Sequence, residues 1–253
     1  MNIIRLSAVA KREVQRFMRI PVQTILAPLI SAALYILVFG IILGNRINFL
    51  ENINYIDFVF PGILMMQLIF GSYSQSAFSL FFHRSTKTIT EMLTSPLSYS
   101  EIVLGYIIGA TARALIVSSG VYAIAIIFTD ATPANIPFFI FYVLVVSVLF
   151  ALLGLLIGLW AEKMEQLNML QTFVLTPLIY VGGVFNSIDM LPENIHWLVK
   201  INPIFYMVDG IRYSMIGYSE SNLLSGAFFL TGSAVILFAL VIYLFKIGWK
   251  LRS

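Results

Sequence analysis

The stretch PFFIFYVLVVSVLFALLGLLIGLW (137–160) is 24 residues long and carries no charge. A helix of about 20 apolar residues crosses a bilayer core of about 30 Å, so this stretch alone predicts a transmembrane helix. Similar windows elsewhere in the chain predict five more. The predicted spans are 22–43, 58–82, 102–128, 137–160, 169–187 and 225–245. The sequence therefore predicts an all-α polytopic membrane protein, with one six-helix transmembrane domain over residues 1–253.

The composition agrees with a membrane protein and excludes several kinds of site. Of 253 residues, 60% are hydrophobic and 11% are charged, whereas soluble domains carry about 25% charged residues. The chain has no cysteine, which excludes disulfides and thiol nucleophiles. Its two histidines, His83 and His196, lack metal-ligand spacing, so we expect no metal. The first apolar run is too long for a secretory signal and lacks a cleavage site, so we expect it to be retained.

Basic residues are unevenly distributed between the predicted loops, which orients the chain by the positive-inside rule. Eleven lie on one side: Arg5, Lys11, Arg12, Arg16, Arg19, Arg84, Lys87, Lys163, Lys246, Lys250 and Arg252. Three lie on the other: Arg46, Lys200 and Arg212. We therefore expect both termini in the cytoplasm, which requires an even number of spans.

Residues 3–20 combine an apolar stripe with basic residues. The stripe consists of Ile4, Val9, Val14, Phe17 and Met18. The basic residues point elsewhere: Lys11, Arg12, Arg16 and Arg19. This pattern predicts an amphipathic helix in the headgroup plane, with its apolar side towards the acyl chains. A basic flank that only sets the topology is the alternative.

The loop 83–101 contains two capping-box patterns. Thr88 with Glu91 predicts the start of a short helix that ends before Pro96, and Ser98 with Glu101 predicts the start of the third span. A rigid cytoplasmic helix of this kind suits docking to another protein. A loop that is merely well capped is the alternative.

The external segment 186–221 is too apolar for a solvated loop. It carries the aromatic residues Trp197, Phe205, Tyr206, Tyr213 and Tyr218. Pro192, Pro203 and Gly210 divide it into pieces, which predicts short helices dipping into the outer interface. A lid over a pathway and an interfacial anchor are both compatible with this pattern.

Polar residues follow one face in three of the predicted spans. They are Thr24, Pro28, Ser31 and Tyr35 in the first; Gln67, Gly71, Ser74, Gln75 and Phe78 in the second; and Thr172, Thr176, Tyr180 and Gly183 in the fifth. These faces should turn away from lipid, either to line a pathway or to form helix–helix contacts.

Arg113 is the one charge deep inside a predicted span. It shares a face with Gly105 and Gly109, a pattern that allows two helices to approach closely. No deep carboxylate is available to pair with it, so we expect Arg113 to bond carbonyls, Gln or Tyr of a neighbouring span.

The sequence contains no G-x-x-x-x-G-K-[ST] phosphate loop and no buried relay of carboxylates or histidines. Transport by this chain would therefore be powered by a partner, or it would be passive. Intramembrane catalysis is disfavoured because the spans lack paired acid, base or nucleophilic groups.

Five stretches, in order along nearly the whole chain, resemble the permease subunits of ABC-2-type exporters, and within them the YadH-like inner-membrane permeases. They are KREVQRFMRIPVQTILAPLISAALYILVFG (11–40), FVFPGILMM (58–66), ITEMLTSPLSYSEIVLGY (89–106), FVLTPLIYVGGVFNSIDMLP (173–192) and INPIFYMVDGIRY (201–213).

The resemblance implies roles for three segments and three spans. Stretch 3–20 would be the interface helix. Stretch 84–97 would be the coupling helix, with Arg84, Lys87, Glu91, Met92, Leu93 and Pro96. Stretch 189–213 would be an external re-entrant element, with Asn202, Pro203, Asp209 and Arg212. Spans one, two and five would line the pathway, with Gln67, Gly71, Ser74, Gln75, Thr172, Thr176 and Tyr180.

The resemblance also implies a homodimer in the bacterial inner membrane that contacts lipid and a separate cytoplasmic ABC ATPase. That partner would bind ATP and Mg, and this chain would need no cofactor, have no catalytic residue and bind no nucleic acid. The exported cargo would be hydrophobic, lipid-like, drug-like or a glycan. A passive channel or an ATP-independent secondary transporter is the alternative.

Overall fold

The computed structural model describes residues 2–43, 53–129 and 132–251, and every regular element among them is helical. Two basic residues used to orient the sequence, Arg46 and Arg252, lie outside these ranges. The α-helices are α1 (Ile3–Met18), α2 (Ala27–Tyr35), α3 (Tyr55–Ser85), α4 (Thr88–Thr94), α5 (Tyr99–Ala125), α6 (Ile136–Trp160), α7 (Met164–Leu170), α8 (Thr176–Val181), α9 (His196–Ile201), α10 (Pro203–Ile216) and α11 (Leu223–Ile247).

Helix α3 is the centre of the bundle. Most of its side chains are buried, including both its aliphatic residues and the small polar ones. It packs against α5, α6 and α10, whereas α11 lies further out and leaves most of its apolar surface exposed. Glycines permit the closest approach, since a Cβ at Gly154 of α6 would overlap Ser76 of α3. The core is therefore built around the second predicted span.

Five helices of the described chain are long and apolar enough to cross a membrane. They are Val22–Gly40, Tyr55–Ser85, Tyr99–Ala125, Ile136–Trp160 and Leu223–Ile247. They match the first, second, third, fourth and sixth predicted spans, and their ends differ from the predicted ends by a few residues. Their apolar composition confirms an all-α, multi-pass membrane fold.

The predicted fifth span, 169–187, is not among these five. The corresponding helical segment runs from Met164 to Val181, so it begins and ends earlier than predicted. Its first half carries Glu165, Gln166 and Asn168, which make it less apolar than the other spans. It nevertheless connects opposite ends of the bundle. Just before it, the Ala161 carbonyl accepts a hydrogen bond from Arg84 at the end of α3. Just after it, the Gly183 carbonyl accepts from Arg212, which also donates to the Phe58 carbonyl near the start of α3. The fifth predicted span, and with it the total of six, stays a prediction that this path supports.

The helical segments of the first and fifth predicted spans contain π-helical turns. Val22–Leu26 and Ile36–Leu43 flank α2, and Gln171–Leu175 separates α7 from α8. Pro28 and Pro177 each lie near the start of the α-helix that follows such a turn. Proline lacks an N–H and its ring crowds the preceding turn, so the wider turn accommodates it without breaking the rod.

Candidate functional site

The short helix predicted in the loop 83–101 forms as α4, but the capping box predicted at its start does not form. Thr88 is the first helical residue, and its hydroxyl pairs with that of Thr86 at 2.9 Å. The residue before it, Lys87, adopts a left-handed conformation with φ of 59° and makes no side-chain cap. The Thr88 capping box was therefore wrong, since the backbone reverses at Lys87 and moves Thr88 into the helix.

The second predicted cap is confirmed at the start of α5. The Ser98 hydroxyl accepts the Glu101 N–H at 3.3 Å, and the Glu101 carboxylate accepts the Ser98 N–H at 2.9 Å. Glu101 also accepts the backbone N–H of Asn2 at 2.6 Å. One carboxylate therefore caps α5 and holds the start of α1 beside it.

Helix α4 has one face against the bundle and one face free. Ile89 and Met92 are buried, and the Met92 sulfur accepts from Arg12 at 3.0 Å. The other members of the predicted coupling set on or beside α4 lie further out. Lys87, Glu91 and Pro96 are exposed and Leu93 is half-buried. Met92 thus attaches the helix, and its exposed neighbours form the accessible surface.

Arg84, the remaining member of the coupling set, joins helix ends instead. Its Nη1 donates to the carbonyls of Gly158 at 2.7 Å and Ala161 at 3.0 Å, and its Nε donates to that of Lys250 at 2.7 Å. The C-terminal ends of α3, α6 and α11 therefore meet at one guanidinium. Lys250 reinforces the junction through Glu162 at 2.8 Å.

Helix α1 packs on the bundle through part of the predicted apolar stripe together with Glu13. Val9, Glu13 and Phe17 are buried, whereas Ile4 is 78% exposed and Met18 50% exposed. The predicted single apolar stripe towards the acyl chains was therefore wrong, because tertiary packing on α5 takes two of its members. Of its basic residues, Lys11 and Arg19 are exposed, and Arg12 and Arg16 are half-buried against the bundle.

The close approach predicted for Gly105 and Gly109 is confirmed, and its partner is α1. A Cβ at Gly105 would overlap Val9, and a Cβ at Gly109 would overlap Glu13. These two glycines form the groove in α5 that receives α1.

Glu13 is the centre of a buried polar cluster that sequence reasoning missed. Its carboxylate bonds the Ser79 hydroxyl, and it pairs with Arg12 at 3.2 Å. Arg16 donates to the carbonyl and hydroxyl of Ser79 at 3.0 and 2.9 Å. Burial raises the pKa of Glu13 and lowers the pKa of Arg16. The available signal was the spacing Val9–Glu13–Phe17, which places a carboxylate in the middle of a buried stripe.

A polar cavity of about 320 Å³ lies between the first, second, third and fifth predicted spans. Its lining comprises Gln23, Ala27, Pro28, Ser31, Tyr35, Met66, Gln67, Phe70, Gly71, Ser74, Arg113, Val117 and Gln171. Gln67, Gly71 and Ser74 were predicted pathway residues, and Pro28, Ser31 and Tyr35 belong to the stripe predicted on the first span. Two of the three predicted polar faces therefore meet at this cavity.

Four other predicted pathway residues lie away from the lining. Gln75 is buried, and Thr176 donates to the Gln171 carbonyl at 3.0 Å. The Tyr180 hydroxyl lies 3.5 Å from that of Tyr35, whereas Thr172 is exposed. On the fifth predicted span, Gln171 lines the cavity, whereas the predicted pathway residues Thr172 and Thr176 do not.

Arg113 bonds two neighbouring helices, as predicted. Its Nε donates to the Thr24 carbonyl at 3.2 Å, and its Nη1 donates to the Ser74 hydroxyl at 3.0 Å. Pro28 has no N–H, so the Thr24 carbonyl lacks its usual α-helical donor and accepts from the arginine instead. Arg113 also belongs to the cavity wall, which makes it more than a helix contact.

The predicted external element, residues 186–221, folds into short helices, as predicted, and two buried side chains fix its position. Arg212 is completely buried, donating to the carbonyls of Phe58 at 3.2 Å and Gly183 at 2.5 Å, with its guanidinium 3.6 Å from the Phe58 ring centroid. Asp209 accepts the N–H groups of Glu220 and Ser221 at 2.8 and 2.9 Å. Burial raises the pKa of Asp209 and lowers that of Arg212 to about 10.

Asn202 and Pro203 form the start of α10. The Asn202 side chain accepts the Ile204 N–H at 3.0 Å and donates to the Leu178 carbonyl at 2.6 Å, while Pro203 is the first helical residue. This cap joins the external element to the helix that includes α8.

Comparisons with known proteins agree with this architecture. The chain matches the family model of the ABC-2 type transporter over residues 5–216. It is 36% identical to the inner membrane transport permease YadH of Escherichia coli (strain K12) over 248 residues, covering 98% of this chain and 94% of that protein. It is 22% identical to Nodulation protein J of Rhizobium meliloti over 211 residues, covering 83% and 80% of the two chains. Because the family match covers most of a helical, membrane-spanning chain, this protein belongs to the ABC-2 type transporter family and is the membrane subunit of an ABC transporter, with a transport role rather than a catalytic one.

Proposed function

We propose that this chain is the permease of an ATP-driven exporter in the bacterial inner membrane and that a separate cytoplasmic ATPase drives it through α4. The observation that carries the proposal is the construction of α4. Its inner face is fixed to α1 and the bundle through Met92, and its outer face presents Lys87, Glu91 and Pro96. A force applied to that outer face passes directly into the transmembrane helices.

The chain would act as a homodimer, with both termini in the cytoplasm and two ATPase subunits beneath it. ATP and Mg bind in the partner subunits, since this sequence has no phosphate loop. ATP closes the two ATPases and displaces the α4 helices, and the two permease halves then tilt so that the pathway opens outward. Hydrolysis resets the assembly. The apolar outer surfaces of α2 and α11 suit contact with lipid.

The cargo is hydrophobic, lipid-like, drug-like or a glycan. The cavity beside Gln67, Gly71 and Ser74 supports this choice, because it places polar groups within otherwise apolar spans. It does so where the polar faces of the first two predicted spans meet, which is where a pathway would run.

Co-purification tests the coupling. The tagged chain is extracted from its native membranes, a phosphate-loop ATPase is sought in the eluate by mass spectrometry, and ATP hydrolysis is measured after reconstitution of the complex. We expect Glu91→Arg to release the ATPase or to uncouple its activity. The matched control is Glu193→Arg, an exposed acidic residue of the external element.

Two outcomes overturn the proposal. One is purification of the chain without any phosphate-loop partner. The other is transport by the chain alone in liposomes, which identifies a passive channel or a secondary transporter.

A further inference from the structure

Arg113 gives the cavity between the spans a positive charge that no neighbouring carboxylate balances. The groups described around the cavity include the amides of Gln23, Gln67 and Gln171 and the hydroxyls of Ser31 and Tyr35, but no acidic side chain. The two partners of the guanidinium, the Thr24 carbonyl and the Ser74 hydroxyl, are both neutral. The site therefore has a net positive charge within the membrane-spanning region.

The guanidinium of Arg113 is held in place through two of its three nitrogens. Its bonds through Nε and Nη1 fix the plane of the group against two helices. Nη2 has no hydrogen-bond partner among the described residues. Because Arg113 lines the cavity, this nitrogen and the planar fork are available to an anionic oxygen.

The remaining wall is apolar. Ala27, Met66, Phe70 and Val117 line the cavity together with the polar groups. Arg113 lies twelve residues along α5 from Glu101, or roughly 18 Å at 1.5 Å per residue. A small hydrated anion would have to lose its water to reach this depth, whereas an amphiphile enters from the bilayer with its chain already in lipid.

We propose that this cavity binds the anionic headgroup of an amphiphilic molecule, with Arg113 as the charged ligand and the glutamine amides and hydroxyls as neutral hydrogen-bonding partners. The inference rests on the proposed export function and narrows its cargo to acidic amphiphiles bearing a phosphate-like group. A headgroup of this kind completes the bonding of Arg113 and offsets the cost of a buried charge.

Photolabelling tests the proposal on the full chain in neutral detergent. One probe is dodecyl phosphate with a diazirine in its chain, and the other is the matched dodecyl phosphocholine, which has no net charge. We expect the phosphate probe to label the peptides around 23–35 and 66–74 roughly tenfold more strongly, as for a charge-assisted hydrogen bond. Equal labelling by the two probes overturns the proposal.

Three variants locate the effect. Arg113→Gln should remove the preference for the phosphate probe, whereas Lys163→Gln, which removes an exposed charge from a loop, should retain it. Ser31→Phe narrows the cavity from an exposed wall position and leaves Arg113 in place. It should reduce labelling by both probes. The preference measured in the unmodified chain stands even if Arg113→Gln fails to fold.

Inorganic phosphate separates a lipid-like ligand from a free ion. We expect unlabelled dodecyl phosphate to compete with the probe and inorganic phosphate at the same concentration not to compete. Equal competition by inorganic phosphate overturns the assignment to an amphiphile. The coupling experiment with Glu91→Arg is independent of these results, so a failure to bind the probe leaves the proposed coupling intact, and a failure of coupling leaves the binding result intact.

Discussion

At the scale of single residues, charged side chains inside the bundle bond one element to another. Glu13, Arg113 and Arg212 each lie inside the bundle, and each bonds a backbone carbonyl or hydroxyl of a neighbouring element. In a low-dielectric interior a charged group loses its hydration, which destabilises the fold unless the group is hydrogen-bonded. Removing one bonding partner therefore leaves the loss of hydration uncompensated. We therefore expect substitution of these three residues to cost more than substitution of exposed charged residues.

Arg212 provides a direct test of this view. We expect Arg212→Met to lower the free energy of unfolding by about 2–4 kcal/mol, because two carbonyls lose charged donors in a buried site. Thermal unfolding of the detergent-solubilised protein measures the effect. Lys200→Met, at an exposed position on the same external element, is the control and should change little. Equal stability of the two variants would contradict the assigned role.

Glu13 gives a dependence on pH. Its pKa is raised above the ordinary value of 4.5 by burial, so the stability linked to this group is complete below its unfolded pKa and is lost as pH rises through its folded pKa. We expect the Tm of Glu13→Gln to rise relative to that of the unmodified protein as the pH is raised above the ordinary pKa of 4.5. Glu193→Gln, which is exposed, should show no such gain. Parallel profiles for Glu13→Gln and the unmodified protein would refute the raised pKa.

At the scale of elements, contacts that only glycine permits fix the position of the interface helix. We expect Gly109→Leu to push α1 away from α5, because the new side chain would occupy the space of Glu13. The chain has no cysteine, so a single Val9→Cys reports the change. Its thiol should react with maleimide roughly tenfold faster in the Gly109→Leu background, as local opening exposes a buried site. Gly232→Leu, where a side chain meets open space, is the matched control.

The sequence predicts elements better than it predicts which faces they bury. Long apolar runs identified five of the spans because length and hydropathy suffice for that inference. The Ser98–Glu101 cap and the Gly105–Gly109 groove were also predictable, since each depends on residues close in sequence. The buried face of α1 was not predictable, because it depends on α5 and α3, which are distant in the chain. Thr88 failed as a cap for a similar reason, since the backbone at Lys87 decides where α4 begins.

Part of the candidate site was likewise predictable from the sequence, and part was not. Gln67, Gly71 and Ser74 were found by their helical spacing, and the structure brings them to one cavity. On the fifth predicted span the cavity is lined by Gln171 and not by Thr172 or Thr176, and a π-helical turn occupies Gln171–Leu175. The spacing of residues in the sequence does not predict such a turn.

At the scale of the whole molecule, the path of the chain between Lys163 and Lys200 decides the topology. Six crossings place these two lysines on opposite sides of the membrane, whereas five place them on the same side. We expect a single cysteine at Lys163 to react only after the membrane is permeabilised, and one at Lys200 to react in intact spheroplasts. Both positions are exposed, so reactivity reports sidedness and not burial. Reaction of both from the outside would contradict the six-span arrangement.

The glycine groove on α5 has a mechanical consequence for the whole molecule. Because α1 and α5 touch without a gap, we expect them to move as one body, to which Met92 attaches α4. The nearest place where the polypeptide bends is the elbow between α1 and the first π-helical turn, where the Thr24 hydroxyl donates to the carbonyls of Phe17 and Ile20 at 2.8 and 3.0 Å. We therefore expect a displacement of α4 to rotate the attached helices about this elbow, which lies where the polypeptide is predicted to enter the bilayer.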